Sequence, residues 1–214
     1  MDAEAADVLA FWFGAPGSPE HGKPRRAWFA KDAAFDEEIG RRFRALHACA
    51  ALGERDRWDA SPRELLALLV VLDQFSRNLY RGDARAFSQD GAALAAARRM
   101  IERGWDRDLL PVERQFAYLP FEHAESMAEQ DRAVALFTDL EAFEATKGLV
   151  VWAEKHRDVI RRFGRFPHRN AALGRESTPA EIEYLAQPGA GFGRRWHRSF
   201  ARLSSPSSRS RCRP

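Results

Sequence analysis

The side chains that could do chemistry gather in three polar-aromatic segments. Residues 72–82 (LDQFSRNLYRG) carry Asp73, Gln74, Arg77 and Asn78. Residues 113–126 (ERQFAYLPFEHAES) carry Arg114, Glu122 and His123. Residues 156–175 (HRDVIRRFGRFPHRNAALGR) carry His156, Arg165, His168 and Arg169. Arginine suits recognition of a carboxylate or phosphate, because its planar fork matches two oxygens at once. Histidine beside a carboxylate is the usual equipment for moving protons near neutral pH.

Three readings of these residues compete. In the first, Arg77, Arg114, Arg165 and Arg169 converge on an anionic small molecule or peptide. Phe75, Tyr118 and Phe166 pack its apolar part, and Asp73, Asn78, Glu122, His123 and His168 complete the pocket. In the second, His123, His156 and His168 work with Asp73 or Glu122 as a hydrolytic enzyme. In the third, every one of these groups is structural. Asp73 and Arg77 lie four apart on one helix face and can pair with each other. Glu113 and Arg114 can be packed ion pairs. His156 is in line with Leu149, Trp152, Val159, Ile160 and Phe163, the setting of a hydrogen-bonded core histidine. Arg165 and Arg169 can close the carbonyl end of the helix before them.

Known chemical signatures narrow the choice. The sequence has no GxxxxGK loop, no strand-linked GxGxxG, no GxSxG and no HExxH, CxxC or helical ExxH pair. No two of the three histidines are three or four apart, so their spacing implies no metal, and no cofactor is expected. The PGAGFG stretch (188–193) follows no strand and carries little weight. Shared burial favours one site. A single network would satisfy Asp73, Arg77, Glu122, His123, Arg165 and His168 together, where separate networks would need three sets of partners.

The elements that must position these residues read as helices. Residues 3–13 are apolar at helical spacing and stop at Gly14. Asp32 can cap a long amphipathic helix carrying Phe35, Ile39, Phe43 and Leu46. Ser61-Pro62-Arg63-Glu64 is a capping box with proline at the first helical position. The run behind it, LLALLVVLDQF, is apolar on nearly every face, which places it at the centre of the fold. Further helices are expected over 89–103, from Pro111 to a break at Pro120, from Ser126 to about Phe143, over 148–163, and from Thr178 to about Ala186. Period-two alternation is missing, so the fold class is all-α: one domain of seven or eight helices over residues 1–187.

Composition agrees with this. The chain has 214 residues, 45% hydrophobic and 30% charged, with 15 Phe and 6 Trp. That excludes a disordered chain, a collagen and a disulfide scaffold. The formal charge of +3 is misleading, because residues 188–214 hold seven arginines and no acid. The other 27 basic residues face 31 acids, a net −4 for the body. The Ser/Arg/Pro-rich tail is expected to be disordered and dispensable, and specific nucleic-acid binding is not expected of it. Two distant cysteines, an acidic N-terminus and a longest apolar run of eight residues suit a cytoplasmic protein with no membrane span.

Taken together, LDQFSRNLYRG, ERQFAYLPFEHAES, RFGRFPHRNAALGR and the WF…D…FD…I…RF…L run from Trp28 to Leu46 resemble the bacterial family called domain of unknown function 924. The resemblance covers about residues 5–187 and ends before the arginine-rich tail. It implies an all-helical, tetratricopeptide-like stack, and it implies no activity.

Overall fold

Four helices begin where an N-cap side chain closes a free amide, whereas Ser126, expected to cap a helix of its own, makes no such bond. In the computed structural model, which describes residues 1–192, Asp2 accepts from the Glu4 amide at the start of α1 (Ala3–Phe13). Asp32 accepts from Ala34 and Phe35 at the start of α2 (Ala33–Ala51). Ser61 accepts from Glu64 at the start of α3, which spans 62–79. Thr178 and Glu181 form a reciprocal capping box at α8 (Pro179–Leu185). Between them lie α4 (Asp90–Glu102), α5 (Pro111–Glu122), α6 (Met127–Asp139) and α7 (Val150–Phe163). Gly164 ends α7 in the left-handed conformation at φ 70°, which glycine adopts without a Cβ clash. Among the described residues there are eight such helices, several single 3-10 turns and no strand.

α3 is the axis of the fold. Leu65 through Leu72 are all buried, and α1, α2, α4 and α5 pack around them. An aromatic cluster joins α1 to this axis, with Trp12 edge-on to Phe75 and to Phe116. α6 packs on α5 and α7 packs on α6.

Two boundaries differ from the sequence expectation. α5 does not break at Pro120 but runs through it to Glu122. Proline forfeits one amide bond there, yet its fixed φ is helical, and residues 115–122 are all buried, so packing outweighs the loss. α6 ends at Asp139, short of Phe143, and a 3-10 turn (Leu140–Ala142) follows. The arginine-rich tail lies outside the described residues from position 193 onward. Residues 188–192 are described, and there Ala190 is buried and Phe192 packs back on the body. No helix among the described residues is long and apolar enough to cross a membrane.

The central place of α3 sets an expectation for stability. Leu68→Ala should lower the unfolding free energy by about 2–5 kcal/mol, since the surrounding helices cannot collapse onto the vacated volume. Urea denaturation measures it, and a loss below about 1 kcal/mol would contradict the central position.

Candidate functional site

The most apolar helix carries the most demanding charge. α3 is regular over Pro62–Leu69, widens into a π-helical segment over Val70–Phe75, and resumes over Ser76–Leu79. Such widenings are often found at functional sites. Side chains one turn on take up carbonyls of this segment. Ser76 Oγ donates to the Leu72 carbonyl at 2.6 Å, and Arg77 Nη1 donates to the Asp73 carbonyl at 2.9 Å. Asp73 lies inside the segment with 1% of its side chain exposed. Arg77 Nη1 stands 3.1 Å from its Oδ1, the pair expected from the four-residue spacing. Burial alone would push the Asp73 carboxyl up, but Arg77 and His123 outweigh it and hold it well below the usual carboxylate range.

The end of α5 supplies the next two groups. Successive helical residues point about 100° apart, so Glu122 and His123 reach different neighbours. His123 Nδ1 meets Asp73 Oδ1 at 2.8 Å. An ionised carboxylate only accepts, so Nδ1 carries the proton and Nε2 is left with a lone pair. Burial, and Arg77 after it, push the His123 imidazole down against the pull of Asp73, which keeps the ring neutral at pH 7. Glu122 turns the other way, toward α7, and its Oε1 lies 3.0 Å from His156 Nδ1. The same Nδ1 is 2.9 Å from the Trp152 carbonyl, so it too must be the donor. The His123 and His156 rings are 6.4 Å apart, centre to centre.

The turn after α7 closes the site. Arg169 donates to Asp90 Oδ2 at 2.9 Å and to the His123 carbonyl at 3.0 Å, so it caps the end of α5. Asp90 also pairs with Arg77 Nη2 at 3.0 Å and thereby ties α4 to α3. The Arg169 guanidinium lies between the rings of Phe87 and Phe166, 4.7 and 4.6 Å from their centres. His168 stands beside it with a buried Nδ1 that has no partner among the described residues. Burial, with Arg169 adding to it, pushes this imidazole down to about 3.

These groups surround a cleft of about 430 Å³. Arg77, Asn78, Glu122, His123, His168 and Arg169 line it, as does His156. Asp73 is the buried support behind Arg77 and His123. Two expected members lie elsewhere. Arg165 is held by Glu181, with Nε to Oε1 at 2.7 Å and Nη2 to Oε2 at 2.8 Å, and so ties the turn to α8. Arg114 is held at Tyr118, whose hydroxyl donates to Asp106 at 2.7 Å. Each guanidinium found its carboxylate outside the three motifs, which is why neither turns to the cleft. Phe75, Tyr118 and Phe166 are buried core and do not line it.

The aromatic wall comes instead from segments that the motifs do not include. Trp28, Phe29 and Lys31 enter from the loop after α1, where Trp28 Nε1 donates to the Trp12 carbonyl at 2.8 Å and Arg25 to the Phe11 and Trp12 carbonyls. Phe87 comes from the turn before α4. Phe192 stacks on His156 at 3.7 Å, with its backbone in the left-handed region at φ 54°. Of this wall only the WF pair at 28–29 carried any signal, as part of the family-like run. Among the described residues, no group of three or more His, Cys, Asp or Glu is placed to hold a metal ion.

Residues 8–189 match the family described as "Bacterial protein of unknown function (DUF924)". The chain belongs to this family. A solved structure, the protein of unknown function ATU0120 from Agrobacterium tumefaciens, is similar to it at 43% identity and a TM-score of 0.74. The match covers 86% of this chain and 97% of that one. No curated protein is similar to the chain.

Burial of His168 and His123 makes the stability of this DUF924 protein depend on pH. His168 takes a proton only near pH 3 in the folded protein, but near pH 6.5 once unfolded. The unfolded chain therefore binds more protons over that interval, and stability must fall as the pH drops through it, by up to about 1.4 kcal/mol per pH unit. His123 acts in the same direction. Melting temperatures between pH 7 and pH 4.5 should decline, and His168→Gln should flatten the decline. An unchanged slope in the variant would contradict the buried neutral ring.

Proposed function

We propose that this protein binds a small anionic molecule in the cleft, with an aromatic or otherwise planar part against the ring-lined wall. One observation carries the reading. Four cationic side chains, Lys31, Arg77, Arg81 and Arg169, line the cleft, and Glu122 is the one carboxylate lining it among the described residues. Arg77, Arg81 and Arg169 are oriented by carboxylates behind them, Asp73, Asp90 and Asp36. Preset guanidinium groups lose less freedom on binding than mobile ones, which favours affinity. The exposed Lys31 has no ion pair among the described residues, so its charge is available to a ligand. Phe29, Phe87 and Phe192 supply apolar surface of the kind that buries most of a small ligand. Packing of sequence neighbours α5, α6 and α7 on one another supports a tetratricopeptide-like stack within the same reading.

Phenyl phosphate is a suitable probe, since it joins a ring to an anion. It should raise the melting temperature in a saturable manner, because a ligand of the native state stabilises by about 2.7 kcal/mol at a hundred times its dissociation constant. Lys31→Ala should weaken binding by about 3–10-fold, on the scale of one partly exposed charge pair, and leave the ligand-free melting temperature unchanged. No stabilisation by phenyl phosphate, benzoate or inorganic phosphate would end the anion reading.

A further inference from the structure

Two carboxylate–imidazole pairs meet in one cleft, and they are built crosswise. Glu122 and His123 are neighbours in sequence, yet each is paired with a residue of another helix. His123 Nδ1 bonds Asp73 of α3 at 2.8 Å, and Glu122 Oε1 lies 3.0 Å from Nδ1 of His156 of α7, whose hydrogen bond goes to the Trp152 carbonyl at 2.9 Å. Both carboxylates are almost wholly buried, at 1% and 2% exposure, while both imidazoles line the cleft. In both rings Nδ1 is committed as a donor, and among the described residues Nε2 has no partner. An imidazole fixed at one nitrogen by a buried carboxylate presents the other nitrogen in a set orientation and tautomer.

We propose that the cleft is an acid–base site that hydrolyses phosphate diesters, with His123 as general base and His156 as general acid. The proposal rests on the anion-binding reading above and extends it to a reaction. His123 Nε2 takes a proton from a water molecule as the water oxygen bonds to phosphorus. The opposite phosphorus–oxygen ester bond breaks, and the leaving oxygen takes a proton from Nε2 of a protonated His156, whose charge Glu122 stabilises. The products are a phosphate monoester and an alcohol, whose added atoms are those of the water. Proton exchange with solvent then resets both rings.

The two rings lie 6.4 Å apart, centre to centre, on the wall of one cleft of about 430 Å³, close enough to act on a single bound phosphate group. Arg77 and Lys31 stand on the same cleft for the non-bridging oxygens. Phe192 covers one face of His156, which leaves the ring edge for the leaving group. Neutrality at pH 7, to which burial pushes His123, is what a base requires. Asp73 acts through His123 and is a positioning residue.

The test uses the full chain with bis(4-nitrophenyl) phosphate, following 4-nitrophenol release. Saturable release is expected, with a bell-shaped pH dependence of kcat/KM. His123 faces Asp73 and Arg77 of α3, Asp90 of α4, and His168 and Arg169 of the turn, whereas His156 faces Glu122 and His168, so each limb reports that whole set. His123→Gln and His156→Gln should each lower kcat by about 100-fold, the scale of one acid–base group. Phenyl phosphate affinity should stay within a few-fold, which also shows that the variants fold. Asp73→Asn should lower kcat and raise KM, because Asp73 orients Arg77 as well as His123. It should also move the acid limb to lower pH, because the carboxylate that raises His123 basicity has gone.

Phenyl phosphate binding without diester turnover in the wild-type chain would overturn this proposal and leave the anion reading standing. Turnover that both glutamine variants retain would overturn it as well. Saturable turnover that both variants lose, while they keep the wild-type melting temperature, would support it. Absence of both binding and turnover would overturn the two readings together.

Discussion

A carboxylate at the centre of the most apolar helix governs the arrangement around it. Asp73 lies on α3 among leucines and valines with 1% of its side chain exposed. An isolated charge in that position would cost several kcal/mol. It is tolerated because Arg77, His123 and Gln74 all turn toward it. Arg77 in turn needs Asp90, Asp90 holds Arg169, and Arg169 closes the end of the helix that carries His123. The loop of contacts returns to its starting point through four separate segments. Removing one member leaves a neighbour unpaired, so the network acts as a unit more than as a sum of pairs.

The network also explains why the helices around it are not regular. A straight α3 would give every carbonyl a partner four residues on. The widened segment at Val70–Phe75 loosens that ladder, and the carbonyls of Leu72 and Asp73 are met by Ser76 and Arg77 side chains. Arg77 thus bonds both the backbone and the carboxylate of one residue. At the other side, continuity of α5 through Pro120 is what carries Glu122 and His123 to the junction of α3 and α7. A helix that ended at the proline would have left both on flexible backbone.

Much of this was legible in the sequence, for local reasons. Caps at Asp32, Ser61 and Thr178 are read from a few adjacent residues, and all three hold. An all-round apolar run can only be central, and α3 is. The Asp73–Arg77 pair follows from helical spacing alone. What failed was the choice of distant partner. Arg77, Arg114 and Arg165 look alike as sequence, each an arginine near an aromatic. Their roles diverge because Glu181 and Asp106 claim two of them, and neither acid lies in the motifs. The cleft wall was hidden for a related reason. Lys31, Phe87 and Phe192 come from turns with no periodicity of their own, placed by contacts that only the folded chain makes.

Arg165 and Arg63 are each taken up by a buried carboxylate, Glu181 and Glu113, at some distance from the cleft. The cleft residues show a different balance. His123 and His156 are each fixed at one nitrogen and unpartnered at the other among the described residues, His168 keeps a buried nitrogen without a partner, and Lys31 keeps its charge free of a carboxylate. Of these only the His168 nitrogen is fully buried, and stability alone would favour an apolar side chain there, since an unpaired buried polar group costs more than it contributes. Other buried atoms without a hydrogen-bond partner among the described residues, such as Glu129 Oε2 and Gln130 Oε1, do not line the cleft, so it is the convergence of His123, His156, His168 and Lys31 on one cavity, more than an unmet hydrogen bond by itself, that supports the proposed site.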